Sequence, residues 1–324
     1  MLVWGTLGCD VKESHPFANL QIELPRAAHG APLDAKECVA IAIVPSASGA
    51  GESSGAAILV GAEKFEPATY AKARGADEGR RELVKAIAEA LTRAATVRDE
   101  PGTSSGGASE VPVFLYADRR AWAEHFDLSL GACARARLYK LHVCVVDGDG
   151  APVAADMSRP VLRCWLPWDV PGVRWFTSLP RPVLLWELTI ALKRSGTATE
   201  CTTTEVPSRA LPWFNGAYDP LGRTESERKK ILALQPSAKH FVLASDASLL
   251  VEEITRINLA FAAELRELAA EGITIPHHLR EEGMPVTLEP APDVFVQDIV
   301  TVLDACRGIG IMAIAFRKPE WQRE

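Results

Sequence analysis

Two serines stand in the pattern that hydrolases use for a nucleophile, in Gly51-Glu-Ser53-Ser-Gly55 and Gly102-Thr-Ser104-Ser-Gly106. Such a serine is reactive only when a tight strand-to-helix turn aims its hydroxyl. Both copies lie in Ser/Gly-rich stretches without that context, so they read as connections. His277-His278 with Glu281 and Glu282 offers imidazole and carboxylate, both common zinc ligands. Adjacent histidines ahead of a loop hold two rings awkwardly on one ion, and the segment reads as a solvated turn.

His142 and Cys144 alternate onto one strand face and could form a thiolate pair. That chemistry needs an electropositive, partly open setting, and two core positions are the simpler reading. Gly308-Ile-Gly310 follows a helix rather than opening one, which makes it a helix-ending turn and not a phosphate cradle. Asp118, just past a strand and before a helix, reads as an N-cap worth about 1 kcal/mol rather than a catalytic acid. Seven cysteines at 9, 38, 133, 144, 164, 201 and 306 form no CxxC pair, and an odd number cannot all close internally. The residues thus imply no enzyme, no cofactor, no metal and no small-molecule substrate.

The frame that would position these groups is globular. The 324 residues are 48% hydrophobic, enough for a sizeable core, and exceed one typical domain. A net charge of −7 leaves no basic excess for gripping nucleic acid. The best apolar run, Val183 to Leu192, is too short to cross a bilayer and contains Glu187.

Ser46 to Gly55, Pro101 to Ser109 and Asp147 to Pro160 read as connections from their Gly, Ser and Pro content. The third is taken as the boundary between domains 1–150 and 151–324. In the first, Leu20 to Leu24, Val39 to Val44 and Ala57 to Val60 are expected strands. A helix follows with Leu83, Ile87, Ala90, Leu91 and Ala94 on one face. Strand Val111 to Tyr116, a helix with the stripe Trp122, Phe126, Leu130 and Cys133, and strand Leu141 to Val146 complete the order β-β-β-α-β-α-β.

The second part is expected to replay that order. Its strands are Val161 to Leu166, Leu184 to Ala191 and Phe241 to Ala244, followed by a helical face from Leu250 to Leu268. Strand Val286 to Leu288, the stripe Phe295, Ile299, Leu303 and Cys306, and strand Ile311 to Phe316 close it. The two stripes superpose at an offset of 173 residues, which Pro112 and Pro285 share, and this suggests an internal duplication. Residues 207–236 have no counterpart and read as an insertion. Trp165, Trp168, Trp175, Trp186 and Trp213 crowd the start of the second part, where amphipathic aromatics suit a partner surface as well as a core. The fold class is therefore α+β, as two tandem small mixed sheets, each with two helices packed on one face.

The first half resembles the periplasmic domain of the ExbD/TolR family. The residues that carry this are the Leu24-Pro25 entry after Leu20-Gln-Ile-Glu, the strands at Val39 and Ile58, and Val113-Phe-Leu-Tyr-Ala117-Asp118. In the second half Leu166-Pro167 repeats the entry, and Asp293 to Gly310 is similar to the family's second helix and terminal glycine turn. The Ala-Asp ending is lost there, since Asp118 corresponds to Ala291. The family's N-terminal transmembrane helix and its aspartate have no counterpart in these residues, with Met1 to Leu7 at most its last turns.

The resemblance implies a non-catalytic accessory or scaffold on the periplasmic side of the inner membrane. Its expected partners are an ExbB/TolQ-type complex, a TonB-like protein or peptidoglycan, with the two domains pairing inside one monomer. Two other readings stay open at this point. One is a small-molecule enzyme with an interdomain site; the other is a cytoplasmic scaffold, which the cysteine usage favours.

Overall fold

The computed structural model describes residues 17, 20, 22–34, 38–45, 55–96, 111–138, 140–146, 158–164, 186–207, 237–270, 283–312 and 314–317. Twelve strands and five helices lie in these segments. The strands are β1 (Ala31–Asp34), β2 (Val39–Pro45), β3 (Ala56–Val60), β4 (Glu63–Phe65), β5 (Val113–Ala117), β6 (Leu141–Cys144), β7 (Ser158–Cys164), β8 (Trp186–Ser195), β9 (Ala198–Pro207), β10 (Ser237–Val242), β11 (Val286–Pro290) and β12 (Ile314–Phe316). The helices are α1 (Pro67–Arg74), α2 (Ala76–Thr96), α3 (Ala123–Arg135), α4 (Leu243–Ala270) and α5 (Val296–Gly308).

Two mixed sheets result, in the orders β1-β7-β6-β5-β2-β3-β4 and β10-β9-β8-β11-β12. Without β1 and β7 the first runs β6-β5-β2-β3-β4, and the second read backwards runs β12-β11-β8-β9-β10. The strand orders are the same. The starts of β11, α5 and β12 each fall 173 residues after those of β5, α3 and β6 (286 − 113, 296 − 123, 314 − 141). Register agrees as well: Val113 faces Leu141 in a parallel pair, as Val286 faces Ile314. The fold is thus α+β with two tandem mixed units that share the order β-β-β-α-β-α-β, to which the first unit adds the short helix α1 ahead of α2 and the strands β1 and β7 at one sheet edge.

The central strands β2 and β5 are nearly continuous apolar runs because both faces of their sheet are covered. On one face Ile41, Ile43, Ile58, Val113 and Leu115 pack with Leu83, Ile87 and Leu91 of α2 and Phe126 and Leu130 of α3. On the other, Ala40, Ala42, Phe114 and Tyr116 pack with Phe17, and Leu20, Ile22 and Leu24 lie against them. The N-terminal segment therefore lies across the back of the first sheet.

The second sheet alternates instead. Leu188, Ile190, Leu192, Val286 and Leu288 are buried toward Ile254, Ile257 and Phe261 of α4 and Ile299 and Leu303 of α5. The positions between them, such as Thr189, Lys193, Thr202, Thr287 and Glu289, are half-buried or exposed. One apolar core runs through both units, and the rings of Phe126 on α3 and Phe316 on β12 lie 5.3 Å apart across them.

Several expected strands are placed differently. Leu20 and Ile22 to Leu24, the described residues of the expected first strand, are not in a strand; Arg26, just beyond, makes a single parallel bridge with Val146. Val161 to Leu166, expected to open the second part, overlaps β7, which pairs with β6 and β1 in the first sheet. Ser158 to Pro160, read as the end of a connection, already belongs to β7. β10 ends at Val242, and Leu243 starts α4 rather than continuing the strand.

The second strand of the second unit is β9, which sequence periodicity missed. Ala198 to Pro207 is rich in Thr and Glu, and only its pairing with β8 explains it. The two strands match residue for residue from Trp186–Pro207 to Ser195–Ala198. Gly196, at φ +62°, makes the tight reversal between them.

Candidate functional site at the crossing of the two units

The sheet strand β5 ends at Ala117, and the chain then turns through Asp118 to Ala121 before α3 begins. Asp118 N–H donates to Ile43 O (2.9 Å), and Ala121 N–H donates to Asp118 O (2.9 Å). The other unit repeats both bonds: Ala291 N–H donates to Leu192 O (2.8 Å), and Val294 N–H to Ala291 O (3.1 Å). The backbone turn is the same with aspartate or alanine, so the Asp118 carboxylate is not what forms it.

The two turns meet. Trp122 and Phe295, each the residue before its helix, form an antiparallel bridge. Ala123 N–H donates to Val294 O (2.7 Å), and Val296 N–H donates to Ala121 O (2.8 Å). Further out, Glu124 N–H donates to Pro292 O (3.0 Å) and Gln297 N–H to Arg119 O (3.1 Å). Each bond maps onto its partner by the offset of 173, so the units are related by a local two-fold through Trp122 and Phe295. Neither helix has a side-chain N-cap. Their first N–H groups are satisfied by the opposing unit, which is why two apolar aromatics can stand at the capping positions.

The N-terminal segment runs over this crossing. Glu23 N–H donates to Asp118 Oδ2 (3.1 Å), and Arg119 N–H donates to Glu23 O (2.7 Å). Pro25 O accepts from Val146 N–H (2.9 Å), and Ala27 N–H donates to Val146 O (3.1 Å). Residues 26–29 then lie along α5. Gln297 accepts from Arg26 N–H at 2.9 Å and donates to Arg26 O at 3.2 Å. Asp304 accepts from the N–H groups of Ala28 (3.0 Å) and His29 (2.7 Å).

Asp118 is fully buried, and its carboxylate also accepts from Arg120 N–H (3.0 Å) and Nε (3.1 Å). The Asp118 hydrogen bond and charge, with that of Glu23, raise the Arg120 guanidinium above its usual range. The expectation that Asp118 caps α3 is corrected here, because the residue before that helix is Trp122. Its acceptors hold the N-terminal segment and its own turn instead. Leu24, Pro25, Ala117 and Asp118, singled out as one motif, do converge: Pro25 and Ala117 are buried, Leu24 is half-buried, and Asp118 bonds the residue before Leu24. Gly310, at φ +83°, lies apart, where α5 ends and its N–H donates to Arg307 O (3.0 Å).

Sequence reasoning missed Gln297 and Asp304. A usable signal was present: at the offset of 173 they replace Glu124 and Gly131, so the two helices differ where one of them meets the segment. Leu166, Pro167, Trp165, Trp168, Trp175 and Trp213 lie outside the described residues, as do Ser53, Ser104, His277, His278, Glu281 and Glu282.

Burial pushes the thiols of Cys201 and Cys306 up to about 12, which leaves them protonated and unreactive. Cys144 is buried, and His142 packs edge-on to Phe114 at 5.7 Å. Among the described residues no three His, Cys, Asp or Glu side chains are grouped to hold a metal. No helix among them is long and apolar enough to cross a membrane. The crossing therefore offers directed main-chain binding: buried and half-buried acceptors aimed at an extended segment. No protein-family model and no curated protein matches the chain.

Proposed function

We propose that the chain is a non-catalytic binding and scaffolding protein, a tandem of units resembling the periplasmic domain of ExbD/TolR, that engages a proton-driven membrane complex or the cell wall. The observation that carries this reading is the isologous bridge at Trp122 and Phe295, where two units of one strand order pair inside one chain. Paired domains of this kind otherwise need two molecules; here one molecule supplies both, so the chain acts as a monomer.

The filled crossing favours binding over catalysis. A small-molecule enzyme sited between the units needs a cleft with convergent polar groups. Phe126 and Phe316 meet in that region, and the Asp118 carboxylate is engaged by Glu23 and Arg120. A periplasmic location and a partner of the ExbB/TolQ or TonB type, or peptidoglycan, belong to the same proposal.

The test is co-purification of the tagged full chain with membrane extract and, separately, its sedimentation with peptidoglycan sacculi. Light scattering of the free protein accompanies both. Retention of an ExbB/TolQ-type or TonB-like protein, or of sacculi, with one chain per particle, is expected. A stable homodimer that retains none of these overturns the reading.

A further inference from the structure

The segment Ile22–His29 is held largely by its main chain, and two of its side chains add ion pairs: the Glu23 carboxylate lies 2.9 Å from Arg119 and the His29 ring 3.3 Å from Asp304. Eight of its backbone groups bond to the two folded units: Glu23 N–H and O, Pro25 O, Arg26 N–H and O, and the N–H groups of Ala27, Ala28 and His29. Of its side chains only Pro25 and Ala27 are buried, with Ile22 and Leu24 half-buried, while Glu23, Arg26, Ala28 and His29 are exposed. A seat that reads mainly backbone and two small apolar positions favours an extended segment carrying those positions, and Arg119 and Arg120 add a preference for an acidic residue two before the proline.

The seat is built by both units, and only one helix carries it. Gln297, Asp304 and Gly308 lie on one face of α5, at spacings of seven and four. At the offset of 173 the matching residues of α3 are Glu124, Gly131 and Arg135. Glu124 is taken by Arg80, whose Nη2 lies 2.6 Å away. At Gly308 a Cβ would stand 2.7 Å from the exposed His29 ring and would displace it. The divergence of the helices at these three positions fits a seat that was built on α5 and not inherited by both copies.

We infer that this seat on α5 and Asp118 is a docking groove for an extended peptide of a partner protein, with a proline and, two residues later, an alanine or other small residue, and that Ile22–His29 occupies it in cis. The inference rests on the binding-protein reading and names the chemistry of its partner. Exchange is feasible because the bonds to Gln297 and Asp304 are at or near the surface, where the neutral ones to Gln297 contribute about 1 kcal/mol each net of water and those to the Asp304 carboxylate about 1.5–3 kcal/mol. A partner that presents the same backbone pattern therefore competes with the resident segment on near-equal terms, and local concentration decides between them.

The experiment uses the full chain and a fluorescent peptide with the sequence of residues 20–30. Ala27→Glu places a charge at the buried position of the resident segment without touching the groove. Ala27→Glu is expected to bind the peptide saturably in fluorescence anisotropy, at least about tenfold tighter than the unaltered chain. Adding Gln297→Ala and Asp304→Ala is expected to lower that binding about tenfold or more. Absence of binding by a folded Ala27→Glu chain, or binding indifferent to the α5 substitutions, overturns the inference.

Should Ala27→Glu not fold, amide exchange in the unaltered chain decides. The amides of Arg26, Ala28 and His29 are expected to exchange at least about a hundredfold faster than those of β5, and equal rates overturn the inference. Peptide binding without co-purified envelope partners would leave the groove standing and remove the ExbD/TolR-like role. The reverse result would do the opposite.

Discussion

Trp122 and Phe295 stand opposite each other where the two units cross, 173 residues apart, each one residue ahead of a helix that begins by donating to the other unit. That pairing replaces side-chain capping with main-chain bonds, so it ties helix formation in one unit to the presence of the other.

Val296→Pro tests this tie with little collateral damage. Val296 is the first helical residue of α5, where proline's missing N–H and fixed φ are tolerated. Phe295, at φ −75° and ψ 147°, already has the extended conformation a following proline requires. The substitution removes the bond to Ala121 O (2.8 Å) and leaves that carbonyl without its donor. A loss of about 1–3 kcal/mol in urea unfolding is expected. No loss beyond that of Val296→Ala would mean that the crossing bonds contribute nothing.

Asp118 is the next link, because it joins the turn after β5 to the N-terminal segment. Ala291 shows that the turn forms without a carboxylate, so Asp118→Ala is expected to fold. It leaves Glu23 N–H and Arg120 N–H without their acceptor, at a cost of about 1–3 kcal/mol. Hydrogen exchange should rise at Glu23 and Arg120 while the amides of β11 keep their protection. Unchanged exchange at Glu23 would show that the carboxylate does not hold the segment.

How much of this was legible follows from what each signal depends on. The stripe from Trp122 to Cys133 and its match from Phe295 to Cys306 were readable because an amphipathic helix declares its buried face by spacing alone. The central strand Val113–Ala117 was readable because burial on both faces leaves an unbroken apolar run. Strand β9 was not, since half-buried Thr and Glu positions acquire meaning only opposite β8. Strand β7 was assigned to the wrong sheet because its own residues do not say which edge it joins; β6 decides that through space. Leu20 to Leu24 alternates like a strand because it packs one side of its chain on the back of the first sheet, without pairing. The seat on α5 required the tertiary structure, although the mismatch of Gln297 and Asp304 with Glu124 and Gly131 was visible in the sequence.

The last prediction concerns acid stability and rests on a different corner of the second unit. Glu253 on α4 is 6% exposed and accepts hydrogen bonds from Arg256 Nε (3.0 Å) and Nη2 (2.8 Å) and from Lys239 on β10. Arg256 also reaches Glu205 on β9 (2.9 Å), so three elements share the network. The Arg256 bond, then that of Lys239, outweigh burial and hold the Glu253 carboxyl down at about 2, against an ordinary value of 4.5. A carboxyl whose folded value is depressed contributes stability that is fully present above its unfolded value and is lost as pH falls toward the folded one. The window is therefore from about pH 4.5 down to pH 2. Because Lys239 and Arg256 are half exposed, solvent screening limits the contribution to about 1–2 kcal/mol. Urea midpoints compared at pH 7 and pH 3 should fall more for the unaltered chain than for Glu253→Gln, which cannot titrate. Equal falls in both proteins would show that Glu253 carries none of the acid sensitivity.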